Sequence, residues 1–118
     1  MKKYIVIIGI IIILALAGIF TSKYFTGKVV TQSDIKEFTV KAFRFGYSPD
    51  TITVNKGDRV RIIINNTDTL HGIRIPELDL KNNNQIEFTA DKTGEFVWYC
   101  NNMCGKGHME MKGKLIVR

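Results

Sequence analysis

The chain has 118 residues and a formal net charge of +6, which allows one small folded domain and excludes two independent cores. Lys2, Lys3, Lys23 and Lys28 flank an apolar run and supply four of the positive charges, so the remainder is close to neutral. It carries no basic stripe interleaved with aromatics, which excludes nucleic acid as a partner.

From Tyr4 to Phe20 no side chain is charged or strongly polar. Tyr4–Ser22, at ~1.5 Å per residue, just reaches across a hydrocarbon core of ~30 Å. The segment also reads as an export signal, with Lys2-Lys3, the apolar stretch Ile5–Leu14 and a cleavage pattern at Ala15-Leu16-Ala17. The uncleaved anchor is favoured, because the apolar run continues through Gly18-Ile19-Phe20. Either reading carries the rest of the chain out of the cytoplasm. The expectation is a single-pass protein of the cell membrane, with an anchor and tether over 1–28 and an extracytoplasmic domain over 29–118. Thr21–Ser33, polar and aperiodic, reads as the tether.

Strand-like alternation begins at Ile35 and runs to Ala42. Gly46, Ser48, Pro49 and Asp50 mark a turn, Ile52–Val54 a short strand and Lys56-Gly57-Asp58 a tight turn. Arg59–Ile64 alternates arginine with β-branched residues at its start, and Asn65–Asp68 is a loop. Leu70–Ile75, Gln85–Ala90, Gly94–Cys100 and Lys114–Val117 complete the strands. Seven or so short strands separated by turn residues predict an all-β fold, a small antiparallel Greek-key sandwich or barrel.

The segment Cys100–Met111 carries the chemistry. Two thiols, an imidazole and thioethers share one loop between two predicted strands, and His71 begins another strand. Thiolate, imidazole and thioether donors together suit copper. Two alternatives stay open: a Cys100–Cys104 disulfide, and a structural zinc site from Cys100, Cys104, His108 and His71. Met103 and Met109 are expected to be packing or surface residues, since only Met111 falls at the ligand spacing. Trp98 and Tyr99 read as packing residues first. No nucleophile–base pair or phosphate loop is present in the sequence, so no catalytic site of its own is expected.

The loop spells Cys-x3-Cys-x3-His-x2-Met from Cys100 through Cys104 and His108 to Met111. It resembles the CuA signature of cytochrome oxidase subunit II and of the nitrous oxide reductase copper domain. Asp68–Ile73 is similar to the segment carrying the first histidine ligand, and Tyr47–Asp58 to the second-strand region of cupredoxins. The resemblance implies a cupredoxin fold with two copper ions per chain, both bridged by Cys100 and Cys104. It implies one imidazole ligand each from His71 and His108, a weak thioether ligand from Met111 and the backbone carbonyl of Asn102. Many oxidases have glutamate at position 102; a main-chain ligand survives that change, which alters the loop's hydrogen bonds instead.

The implied function is one-electron transfer from a cytochrome or quinol-linked donor to a membrane oxidase or reductase. The role nearest to an enzyme's is that of the electron-entry subunit of a terminal oxidase. A copper-delivery protein is the alternative from another class. A mononuclear blue-copper carrier is a third, because His71, Cys104, His108 and Met111 alone satisfy a one-copper pattern and only Cys100 argues for two.

Overall fold

The computed structural model describes residues 1–22 and 34–118, with side chains through residue 16 and from 34 onward. The chain forms two compact units, Met1–Thr31 and Gln32–Arg118. The expected boundary between 28 and 29 and the tether beyond Ser22 lie outside the described residues.

In the first unit, helix α1 runs Lys2–Ser22. Its apolar side chains from Tyr4 to Leu16 are exposed all round, apart from Gly9. Among the described residues no helix is long and apolar enough to cross a membrane. The structure therefore does not by itself support the expected anchor.

The second unit is a β-sandwich. Its strands are β1 Lys36–Phe43, β2 Gly46–Ser48, β3 Thr51–Val54, β4 Arg59–Asn66, β5 Ile73–Ile75, β6 Leu80–Asn82, β7 Gln85–Thr89, β8 Gly94–Tyr99 and β9 Lys112–Val117. One sheet has the order β2-β1-β4-β7 and the other β3-β9-β8-β5-β6. Period-two burial builds the core between them: Val40, Ile62, Ile52, Ile75, Trp98 and Leu115 face inward and are almost fully buried. Each such aliphatic or aromatic side chain contributes about 1.5–3 kcal/mol by leaving water. The arginines of β4 face outward, where register brings Arg61 opposite both Glu37 and Glu87. Their ion pairs, at 3.1 Å, set the pairing more than they stabilise it.

The expected all-antiparallel arrangement is corrected in two places. β1 pairs with β4 in parallel, and β3 pairs with β9 in parallel. Parallel neighbours require a crossover. Here the chain leaves β1, passes through β3 in the opposite sheet, and returns as β4. Nine strands replace the expected seven, because β2 and β6 are short edge strands in segments read as turn or polar loop. The strand expected over Leu70–Ile75 begins only at Ile73. Side chains of Asn66 and Asp68 hold the N–H groups of His71 and Thr69, and such local bonds displace the sheet ladder. The Lys56–Asp58 turn is present, with Gly57 at φ 92°, a conformation that favours glycine.

Candidate metal centre

Inward parity along β8 continues from Phe96 and Trp98 to Cys100, which is buried. The Cys100 N–H reaches the Met111 carbonyl at 3.4 Å, so these two residues sit side by side just beyond β8 and β9. Between them the chain turns back through a single 3-10 turn, His108–Glu110. The Phe45 ring lies over this loop. A Cβ on Gly105 would come within 3.0 Å of the ring and one on Gly107 within 2.5 Å, so the loop can pass beneath Phe45 only as glycine.

All six residues expected at the site converge. The Cys100 and Cys104 sulfurs lie 3.7 Å apart. Both thiols are free, and the separation far exceeds the ~2.05 Å of a disulfide. His71 Nδ1 is 3.7 Å from Cys100 Sγ, and His108 Nδ1 is 3.6 Å from Cys104 Sγ. Met111 Sδ stands 3.9 Å from Cys104 Sγ. The Asn102 carbonyl accepts from the Cys100 thiol at 3.1 Å. The ligand atoms of His71, Cys100 and Cys104 all lie within 4.8 Å of one another; His108 approaches the group through Cys104. Met103 and Met109 are surface residues, 81% and 74% exposed.

Several residues that hold the site carried no assigned role in the sequence. Asp68 Oδ1 lies 2.6 Å from His71 Nε2. With Nε2–H donating to the carboxylate, Nδ1 is left with its lone pair toward Cys100. The Arg44 N–H first, and then the His71 ring, hold the Asp68 carboxyl below the usual carboxylate range. Tyr47 donates its hydroxyl to the Gly72 carbonyl at 2.7 Å, and Arg44 Nε donates to the Cys104 carbonyl at 3.0 Å. Asn83 Oδ1 accepts from the side-chain amides of Asn101 and Asn102, at 2.9 and 2.8 Å. Asn102 also donates to the His71 carbonyl at 3.0 Å. The asparagine at position 102 thus ties the cysteine loop to the histidine strand, a bond a glutamate could not donate. The readable signal was local: a carboxylate three residues before His71, and amides on both sides of the site.

Two thiols, two imidazole nitrogens, a thioether and a carbonyl make a soft, nitrogen–sulfur donor set. It fits copper, and it fits a four-donor structural zinc site less well, because the four thiol and imidazole donors do not close on one point. Burial pushes the Cys104 thiol up, and the neighbouring Cys100 pushes it further. Metal entry must therefore displace the Cys104 proton.

The family model described as a cupredoxin-like domain matches residues 9–117. Cytochrome c oxidase subunit 2 of Thermus thermophilus is 29% identical over 99 residues, covering 77% of this chain and 73% of that protein. Nitrous-oxide reductase of Ralstonia nicotianae is 35% identical over 81 residues, covering 60% of this chain but only 12% of the reductase. Among solved structures, the periplasmic domain of subunit II of the Bradyrhizobium japonicum cytochrome oxidase superposes with a TM-score of 0.64 at 19% identity. That match covers 76% of this chain and 88% of the other, and shows the shared fold.

Proposed function

Given that the chain belongs to the cupredoxin-like domain family, we propose that it is a membrane-anchored electron carrier whose centre holds two copper ions between Cys100 and Cys104. The observation that carries this reading is the paired layout: two thiols 3.7 Å apart, each with an imidazole Nδ1 of its own at 3.6–3.7 Å. A single ion with bonds of about 2.0–2.3 Å needs all its donors close to one another. His71, Cys100 and Cys104 meet that condition, whereas His108 lies outside their group. Cys100 and Cys104 would hold copper with His71 within reach of the first thiol and His108 within reach of the second.

Copper bound there would supply a one-electron couple at little cost in rearrangement. The chain's own part is to hold the donors still. His71, Cys100, Cys104 and Met111 are buried at 5% exposure or less, and the Asp68, Tyr47, Arg44 and Asn83 bonds fix the segments that bear them. A delivery protein needs exposed, mobile ligands, so this burial favours the carrier. The donor would be a cytochrome or quinol-linked protein, and the acceptor a membrane oxidase or reductase. The relation to oxidase subunit 2 supports an oxidase.

The anchor is proposed on the sequence of α1. A helix apolar on every face is stable only when something apolar covers it, and lipid would do so. Alkaline extraction of membranes would leave an anchored chain in the pellet.

Metal analysis of the reconstituted full chain, with Cys100→Ser alongside, tests the centre. Two coppers per chain, falling to one in the variant, are expected. One copper in the unaltered chain, or retained zinc, would sink the two-copper reading.

A further inference from the structure

The outer face of the second sheet carries a row of three residues against the metal loop. Register sets Arg74 of β5 opposite Tyr99 of β8, and Tyr99 opposite Lys112 of β9. Their inward neighbours Ile73, Trp98 and Met111 are buried, so the row lies on the solvent face. Each member is close in sequence to the site: Tyr99 precedes Cys100, Lys112 follows Met111, and Arg74 comes three residues after His71.

The Arg74 guanidinium carbon stands 5.3 Å from the Tyr99 ring centroid, and Lys112 Nζ stands 6.0 Å from it. Backbones two strands apart are separated by roughly 10 Å, yet both cations lean toward the one ring between them. Among the described residues neither has an ion-pair partner, whereas Lys36, Arg59 and Lys114 each have one and Arg61 has two. The three border a half-open cleft of about 160 Å³ whose other walls are Cys100, His108 and Met109. None of the six is acidic. Two cations without an ion-pair partner border one small space whose lining holds no carboxylate, which leaves a site complementary to a carboxylate, although Arg74 also borders a neighbouring cleft with Asp79. The exposed Met109 thioether at its rim offers the apolar contact that interface cores favour beside arginine.

We propose that this cleft receives an acidic side chain of the redox partner protein and so seats that partner beside His108. The proposal rests on the electron-transfer reading and names the charge of the partner's docking face. Electrostatic complementarity of this kind acts mainly on encounter rate and orientation.

The test uses the full copper-loaded chain and two reduced c-type cytochromes of opposite net charge as donors, followed by stopped flow. The double variant Arg74→Gln/Lys112→Gln alters exposed residues outside the donor set. It is expected to slow the acidic donor about tenfold at low salt, the lower end of the range for electrostatic steering. It should flatten that donor's salt dependence and leave the basic donor unslowed. No change with the acidic donor, or an equal loss with both, would overturn the proposal. Calorimetric titration with a glutamate octapeptide and with acetate supplies a readout free of electron transfer. The peptide should bind the unaltered chain and not the double variant, and acetate at equal carboxylate concentration should bind far more weakly. Peptide binding that survives in the variant, or acetate binding as tightly as the peptide, overturns the proposed protein-borne acid. If neither cytochrome reduces the chain while peptide binding still needs Arg74 and Lys112, the electron-transfer reading fails and the carboxylate cleft stands.

Discussion

Removing the Asp68 carboxylate should weaken metal binding without touching any donor atom. The contact to His71 Nε2 is 2.6 Å, at the short end for a hydrogen bond to an ionised carboxylate. It keeps the ring proton on Nε2 and the lone pair on Nδ1, the atom 3.7 Å from Cys100 Sγ. Without it, the ring can take the opposite tautomer, whose Nδ1 carries a proton and cannot bind a metal. Loss of such an outer partner typically costs about 10- to 100-fold in metal affinity. The structure places the two obvious variants within that span. Asp68→Asn keeps one oxygen, which suffices for the ring and the Thr69 N–H that share Oδ1 but not for the Arg44 N–H on Oδ2, so it should fall near tenfold. Asp68→Ala strips all three and should approach 100-fold. Competition titration against a copper chelator reads the affinity, and thermal unfolding of the copper-free variants shows whether the fold survives. Glu110→Ala, a carboxylate of the cysteine loop with no bond to either imidazole among the described residues, should change nothing. A folded Asp68→Ala protein with unaltered copper affinity would refute the tautomer argument.

Gly113→Ala should destabilise the domain, because a Cβ there would fall on the Trp98 indole, directly across the β8–β9 pair and fully buried. Overpacking of this kind costs about 1–3 kcal/mol, which lowers Tm by roughly 4–8 °C per kcal/mol in a domain of this size; an unchanged melting curve would contradict it. Met111→Leu should keep copper bound and raise the reduction potential, since a weak axial donor mainly tunes the oxidised state, whereas Met109→Leu should do neither; voltammetry of both variants makes the comparison, and the reverse result would show that the wrong thioether is assigned. Copper affinity should rise with pH across about pH 6–9, because the raised Cys104 thiol must lose its proton to bind; a flat chelator-competition profile would argue against thiolate ligation. The copper-free domain should lose stability as pH falls below about 4. Lys36 beside Asp58, the Arg44 N–H on Asp68 and Arg61 beside Glu87 hold these carboxyls below their ordinary range. Their contribution is complete above that range and disappears as each protonates in the fold; acid unfolding followed by circular dichroism reads it.

The site was legible where its donors are neighbours in sequence. Cys100, Cys104, His108 and Met111 lie in one loop, so their spacing alone placed them together. His71 comes from 29 positions before Cys100, and its resemblance to a ligand segment had to stand in for distance. The supports were harder to read. Asp68 binds His71 across three residues, but Asn83, Tyr47 and Arg44 reach the site from other strands and turns, and nothing in their local sequence announces it. The same distinction holds for the fold. β1 and β4 alternate strongly because one face of each packs on the core. β2 and β6 are three-residue edge strands, and edges are short and polar to discourage further pairing. Parallel pairing of β1 with β4 and of β3 with β9 depends on where the chain crosses between sheets, which strand periodicity does not encode.

The position of β9 has a consequence for the order of events in making the protein. It lies between β3 and β8 in the five-stranded sheet, although it follows both along the chain. Thr51 finds its neighbour only at Lys114, a long-range pairing of the kind that makes folding slow. Until β9 inserts, the sheet is two separate fragments, and Met111, just before that strand, is not yet beside Cys100. The same insertion closes the loop that brings His108 to Cys104. Assembly of the sheet and assembly of the donor set are therefore one step. Copper offered before that step meets loose donors, and copper offered after it meets six preset ones. Loading belongs after folding, in whichever compartment the folded domain occupies.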